Sequence, residues 1–213
     1  MDRNKKIVLR TVLMLLGILL ISICVACYRL SEFGVDSYTG MNLGISGFLG
    51  MSFGNWQLIM NILILIVVFF TVRHCIGAGT IVNMVGVGYI ADFLCWLVND
   101  VAAVEMTLPL RILALLLGTL FASLGVALYM TADMGISPYD SVALIIVKLT
   151  REKVPFQIAR ISSDITVLIV GVVFCLAAHN NVWLIVGIGT VINSLFNGPL
   201  IQFFRSRIER AIS

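Results

Sequence analysis

Apolar residues fall into six long blocks along this chain, approximately 9–30, 56–73, 77–98, 109–131, 156–178 and 182–204. Wound as a helix at about 1.5 Å per residue, each block is long enough to cross a hydrocarbon core of about 30 Å. Pro109 and Pro155 stand at the starts of two of them, where a missing amide proton costs least. Two intervals of another kind interrupt the series, 34–54 and 135–154. The first carries Gly40, Gly44, Gly47 and Gly50 on one helical face, and the second has room for only a short helix before Lys148, Arg151, Glu152 and Lys153. Both read as short helices that enter the membrane partway and lie against protein, because irregular backbone cannot face lipid. A helix break introduces each one: Gly34-Val35-Asp36-Ser37-Tyr38-Thr39 in the first half and Gly135-Ile136-Ser137-Pro138-Tyr139-Asp140 in the second.

The halves resemble each other. A shift of 101 residues pairs Arg10 with Arg111, Gly17 with Gly118, Ser22 with Ser123, Tyr28 with Tyr129, Gly34 with Gly135 and Tyr38 with Tyr139. After a slip, Trp56-Gln57-Leu58 meets Phe156-Gln157-Ile158, and Gly77-Ala78-Gly79-Thr80 meets Gly187-Ile188-Gly189-Thr190. Gly88 then meets Gly198. Matches between leucines come cheaply in such a composition; matches at Gly, Thr, Gln and Arg do not. The pattern therefore predicts an all-α polytopic membrane protein with one membrane domain over 1–213. Its two homologous repeats, about 9–98 and 110–204, each hold three transmembrane helices plus one short broken or re-entrant helix. If the short helices do not cross, the repeats are inverted and six spans result. If they cross, eight spans run in parallel repeats. The shortness of the 141–147 run favours six.

Composition agrees with lipid as the solvent. Hydrophobic residues make up 60% of the chain and charged residues 12%, with a mean hydropathy of +1.08. The net charge of +3 is small, and its basic residues sit near the ends and in short loops, which argues for membrane anchoring and against a nucleic-acid groove. Lys5, Lys6 and Arg10 precede an apolar run too long for a cleaved leader, so the first helix is expected to be retained. Cys24, Cys27, Cys75, Cys95 and Cys175 suggest no disulfide framework; the small residues around Cys24 and Cys27 read as helix packing. The basic clusters, together with the shortness of the two broken elements, place both termini and the 148–154 loop in the cytoplasm and the 99–108 loop outside, although the count of Lys and Arg alone does not separate six spans from eight. Trp56, Trp96 and Trp183 are expected in the interfacial belts.

Candidate chemistry is sparse. Asp140 follows a break, where free amide protons and the positive helix end favour an anion; it is either a helix cap or part of a solute or ion site. Arg160 and Asp164 are one turn apart and can pair. Tyr139 adjoins Asp140, and Asn83 and Asn193 close the two Gly-x-Gly-Thr-x-x-Asn runs, which are expected mainly to pack helices; the three are also candidates for lining the solute site, the asparagines through a polar cavity. His74 and His179 have no acid or thiol at metal spacing, and no nucleophile elbow is present, so neither an enzyme nor a cofactor is expected.

Several of these residues carry a resemblance. The Gly135-x-x-Pro138-x-Asp140 break, the basic Lys148 and Arg151, Arg160 before Asp164, Gly187-Ile188-Gly189-Thr190 and Gly198-Pro199-Leu200-Ile201-Gln202 resemble the YczE-like branch of the YczE/YitT group of bacterial integral membrane proteins. The first half matches through Ser52-Phe53-Gly54-Asn55-Trp56, Gly79-Thr80 and Gly88…Asp92, but has Ser37 where the second break has its proline. The resemblance implies a multi-pass protein of a bacterial inner membrane, of a group sometimes described as transporters, and little chemistry. Two functions are expected to compete. One is a small-solute transporter, or the membrane component of one, with an unknown solute or ion at Asp140, Arg160 and Asp164. The other is a non-transporting accessory protein that scaffolds or regulates another membrane protein or pathway, its conspicuous surface the glycine face at 40–50; a homo-oligomer or a membrane partner is the protein partner to expect.

Overall fold

The computed structural model describes residues 3–212, and the described chain is helical with short connections and no strand. The helices are α1 (Arg3–Ser31), α2 (Ser37–Leu49), α3 (Phe53–Thr71), α4 (Ala78–Trp96), α5 (Leu108–Ala132), α6 (Asp140–Leu149), α7 (Phe156–Ala177) and α8 (Ile188–Ile212). A π-helical turn, Leu97–Val101, lengthens α4 beyond the expected end of its block. Six helices, α1, α3, α4, α5, α7 and α8, are long and apolar enough to cross a membrane. With 13 and 10 residues, α2 and α6 fall short; at about 1.5 Å per residue they reach only about 15–20 Å.

The seam between α1 and α5 is the spine of the bundle, and small residues let it close. A Cβ on Gly17 would lie 2.7 Å from the Tyr129 amide nitrogen, and one on Gly125 would lie 2.9 Å from that of Ile21. One on Gly118 would meet the Tyr28 ring at 3.0 Å. Because early residues of α1 face late residues of α5, the two helices run in opposite directions. Ion pairs fasten both ends: Arg10 reaches Asp133 at 2.5 Å and Arg111 reaches Glu32 at 2.8 Å. Along the outside, α4 runs parallel to α1, with Gly79 against Met14 and the Cys95 thiol donating to the Ala26 carbonyl at 3.9 Å. Likewise α8 runs parallel to α5, with Gly189 against Leu115 and the Ser123 hydroxyl donating to Asn197 at 3.0 Å. The start of α1, the end of α5 and the end of α8 therefore lie at one end of the bundle.

One expectation about surfaces needs correction in part: α7 covers the glycine face of α2 at Gly40 and Gly44, while Gly47 and Gly50 stay exposed. Gly44 rests on the Gly171 carbonyl, and a Cβ on Gly171 would meet the Gly40 carbonyl at 2.8 Å. Trp56, in the first turn of α3, is partly buried and packs against the core cluster of Tyr38, Met41, Ile45 and Tyr139. Trp96 and Trp183 are exposed at helix ends, where belt residues belong. All five cysteines are free.

The backbone contact at Gly17 cannot rotate out of the way, so Gly17→Ala is expected to cost about 1–3 kcal/mol as overpacking. Gly86 has nothing nearer than 3.5 Å to an added Cβ. Gly86→Ala should therefore be neutral or stabilising by up to about 1 kcal/mol, the helix-propensity gain. Thermal unfolding of the two variants in detergent checks the contrast.

Candidate polar site at the two helix breaks

Each break is satisfied by the opposite half of the chain. Gly135 (φ 117°) and Gly34 (φ 94°) both take left-handed backbone, and an added Cβ on either would lie 2.5 Å from a threonine hydroxyl. Those hydroxyls are the fasteners. Thr80 donates to the Ile136 carbonyl at 2.8 Å and accepts from the Gly77 amide at 3.1 Å. Beside it, the Gly79 amide donates to Met134 at 2.8 Å and the Ile136 amide to Cys75 at 2.9 Å. At the other break Thr190 donates to the Val35 carbonyl at 2.9 Å and accepts from the Gly187 amide at 3.2 Å. There the Gly189 amide donates to Phe33 at 2.7 Å and the Val35 amide to Ile185 at 3.1 Å. The backbone groups freed at both breaks thus find partners within the protein.

From these anchored breaks α2 and α6 begin, and their first turns meet. Tyr38 and Tyr139 stack with centroids 4.3 Å apart and planes 11° apart. The Tyr38 hydroxyl donates to Asn61 at 2.8 Å, whose amide reaches the Met84 carbonyl at 3.4 Å. Asp36 caps α2 by accepting the Thr39 amide at 3.0 Å. In α6 the cap is not Asp140. Ser137 accepts the Asp140 amide at 3.1 Å, and its hydroxyl donates to the Asp140 carboxylate at 2.6 Å. Pro138 lies between them, in the first turn, where its missing amide proton costs nothing. Asp140 therefore has a second carboxylate oxygen to spend elsewhere.

It spends it on Arg160. The guanidinium pairs with Asp140 at 2.7 Å and with Asp164 at 3.3 Å, so the expected one-turn pair is in fact a three-membered cluster. Tyr139 donates its hydroxyl to Asp164, and Arg160 lies 4.9 Å from the centre of the Tyr139 ring. The side chains stay 34% (Arg160), 47% (Asp140) and 34% (Asp164) exposed. Two carboxylates face one guanidinium, and Asp36 interacts electrostatically with Asp164 from the other break. The local balance is negative, offset in part by the positive ends of two short helices.

Of the residues singled out in the sequence, Asp140, Tyr139, Arg160 and Asp164 come together. Asn83 and Asn193 do not: they are buried on α4 and α8, and no hydrogen bond among the described residues joins either to the cluster. Sequence reasoning passed over Ser137 and Tyr38 as site residues, and over Asp36. It also passed over a second charged pair, Arg29 with Asp92 at 2.7 Å, about one-fifth exposed on each side. The signal for Asp36 and Asp92 was the same as for Asp140, a carboxylate within apolar sequence that needs a partner. A cavity of about 490 Å³ lies elsewhere, between His74, Gly77, Asp133 and Gly135 on the stitched loops, away from the charged cluster.

Six helices long and apolar enough to cross a membrane, with a charged cluster between the short α6 and the long α7, define a polytopic α-helical membrane protein. The chain belongs to DUF6198, a family of unknown function, whose profile matches residues 8–206. It is similar to the Bacillus subtilis (strain 168) uncharacterized membrane protein YczE, 24% identical over 173 residues, 80% of this chain and 73% of that protein. The uncharacterized protein YyaS of the same organism is 23% identical over 197 residues, 92% of each chain. An uncharacterized protein of Haemophilus influenzae is 28% identical over 181 residues, 85% of this chain and 76% of that one. The expected YczE-like membrane family is thus the right one. No solved structure matches.

Replacing Thr80 or Thr190 by valine keeps the shape and removes the fastener, leaving carbonyls and an amide short of a partner. Each variant should lose about 1–3 kcal/mol. The two losses should add, because the stitches share no partner. Unfolding midpoints of the single and double variants measure this.

Proposed function

We propose that this chain is a small-solute transporter, or the membrane component of one, whose two homologous repeats are inverted and alternate access to a polar site. The site is Asp140, Arg160, Asp164 and Tyr139, where the first turns of the two broken helices meet. The observation that carries the reading is the one-third to one-half exposure of this charged cluster, which joins the short α6 to the long apolar α7. A charge there is disfavoured by a few kcal/mol unless it has a partner or water, so an open cluster is costly to keep for structure alone. Broken helices around a polar centre are how repeat-built transporters hold solutes and ions.

The mirrored pairs support inversion. Arg10 with Asp133 and Arg111 with Glu32 are the same interaction with the halves exchanged, as are the Thr80 and Thr190 stitches. Every Lys and Arg except Arg29 and Arg111 falls at the end of the bundle that holds the start of α1 or on segments leading from it, so the positive-inside rule assigns that end to the cytoplasm. Both termini would then be cytoplasmic in a bacterial inner membrane. Part of the glycine face on which the accessory reading leaned is covered by α7, at Gly40 and Gly44, which favours the transporter reading. Asn83 and Asn193 lie outside the proposed polar core.

Asp140→Asn keeps an acceptor for Ser137 and should leave abundance and thermal stability nearly unchanged while abolishing solute movement in proteoliposomes. Asp140→Leu should lower both. The assay is uptake of a solute panel beside the unfolding midpoint, and full uptake by Asp140→Asn would remove the carboxylate from the mechanism.

A further inference from the structure

The two halves are not in the same state. In the first half α3 lies along α4, and Gly88 is the contact: an added Cβ there would meet the Gly54 Cα at 2.9 Å and the Gln57 side chain at 2.7 Å. The far end of this seam is latched. Asp92 takes the Gly54 amide at 2.6 Å with one oxygen and Arg29 at 2.7 Å with the other, and Arg29 lies 4.8 Å over the Phe53 ring. In the second half α5 and α8 pack as α1 and α4 do, but α7 does not lie along α8. Gly198, the counterpart of Gly88, has nothing within 4 Å of an added Cβ. Gln157, the counterpart of buried Gln57, is exposed, and so is Ile161 opposite buried Asn61.

We propose that the α8 face around Gly198 is a docking surface for α7 of the same chain, brought in through Gln157, and that this seam closes when the α3–α4 seam opens. This rests on the transporter reading above and gives it its moving parts. The residues that form the closed seam, a glycine on one helix and a glutamine on the other, are both kept at the open one. The latch is not: Arg29 and Asp92 have Met130 and Gln202 as counterparts. An unlatched seam is the one found open, as the ion pair predicts. The closed seam also carries a cost that opening relieves, for the Gln57 carbonyl oxygen is buried without a partner among the described residues. Pro199, directly after Gly198, has no amide proton to give the hydrogen-bond ladder of α8. Since α7 carries Arg160 and Asp164, the open seam borders the charged cluster, at the end of the bundle where α1 begins. Its closure, with opening at Arg29 and Asp92, would expose that cluster to the other side.

The test is disulfide trapping in detergent and in vesicles, in a chain whose five native cysteines are replaced. One pair is Gln157→Cys with Gly198→Cys; the other is Asn55→Cys with Tyr89→Cys, which joins positions now in hydrogen-bond contact at 2.8 Å. The second pair should cross-link readily and the first in a minor fraction. Adding Asp92→Asn, or Arg29→Gln as an independent way to release the latch, should raise the first at least several-fold and lower the second. No intramolecular 157–198 cross-link in either released variant, with the chain monodisperse and folded, overturns the proposal. A cross-linked dimer instead of a cross-linked monomer also overturns it, assigning the Gly198 face to a second copy. The readout needs no solute, so a failed uptake screen would count against the transporter reading and leave this one standing.

Discussion

A backbone that breaks inside a membrane must find new partners for its freed amides and carbonyls, and this requirement governs the molecule more than any side-chain chemistry. The backbone groups freed at each break are taken up by a Gly-x-Gly-Thr segment from the opposite half. Glycine gives the left-handed turn and the close approach; threonine gives a hydroxyl that accepts from its own loop and donates to the foreign one. Neither half can satisfy its break alone. The halves therefore interlock, and the α1–α5 seam, with its glycines and its mirrored terminal ion pairs, holds them at the distance that the stitches need.

Much of this was legible in the sequence because it depends on length and on residue size. Six spans follow from apolar run length, and the two short helices follow from the positions of Gly34 and Gly135 and from the basic residues that begin at Lys148. The likeness of Thr80 and Thr190 was visible in the sequence, but not its purpose, since a hydrogen bond to residue 136 or 35 leaves no local trace. Arg160 and Asp164 announced themselves by one-turn spacing. Their link to Asp140 did not, because it depends on how α6 leans on α7. Ser137 was overlooked as the cap because a proline follows it, although that is where a first-turn proline belongs. The glycines of α2 do share a face, but their spacing cannot say what lies against it: only the fold reveals that Gly171 on α7 meets them.

The two charged groups show how one constraint yields different outcomes. At Arg29 and Asp92 the count is even, each carboxylate oxygen has a donor, and about four-fifths of each side chain is covered. That is the arrangement in which an ion pair holds helices together. At Arg160 one cation serves two carboxylates, a tyrosine supplies a further donor, and the cluster stays substantially open. Removing one partner from a closed pair strands a buried charge and costs several kcal/mol. Removing one from an open cluster strands a charge that solvent can reach, which is the condition under which an ion, a proton or a solute can take a protein group's place.

Fixed and movable parts can then be separated on physical grounds. The stitches are complete at both breaks and tie backbone groups of one half to the other, so in the proposed exchange they are the fixed part. The seams differ: one holds a latch and an unsatisfied glutamine oxygen, the other an uncovered glycine and an exposed glutamine. Opening the first loses an ion pair and frees a stranded carbonyl; closing the second covers helix surface around a glycine that leaves room for it. In the proposed exchange each side gives up one kind of contact and gains another, and a solute at the proposed site would shift the populations only by its difference in affinity for the two arrangements.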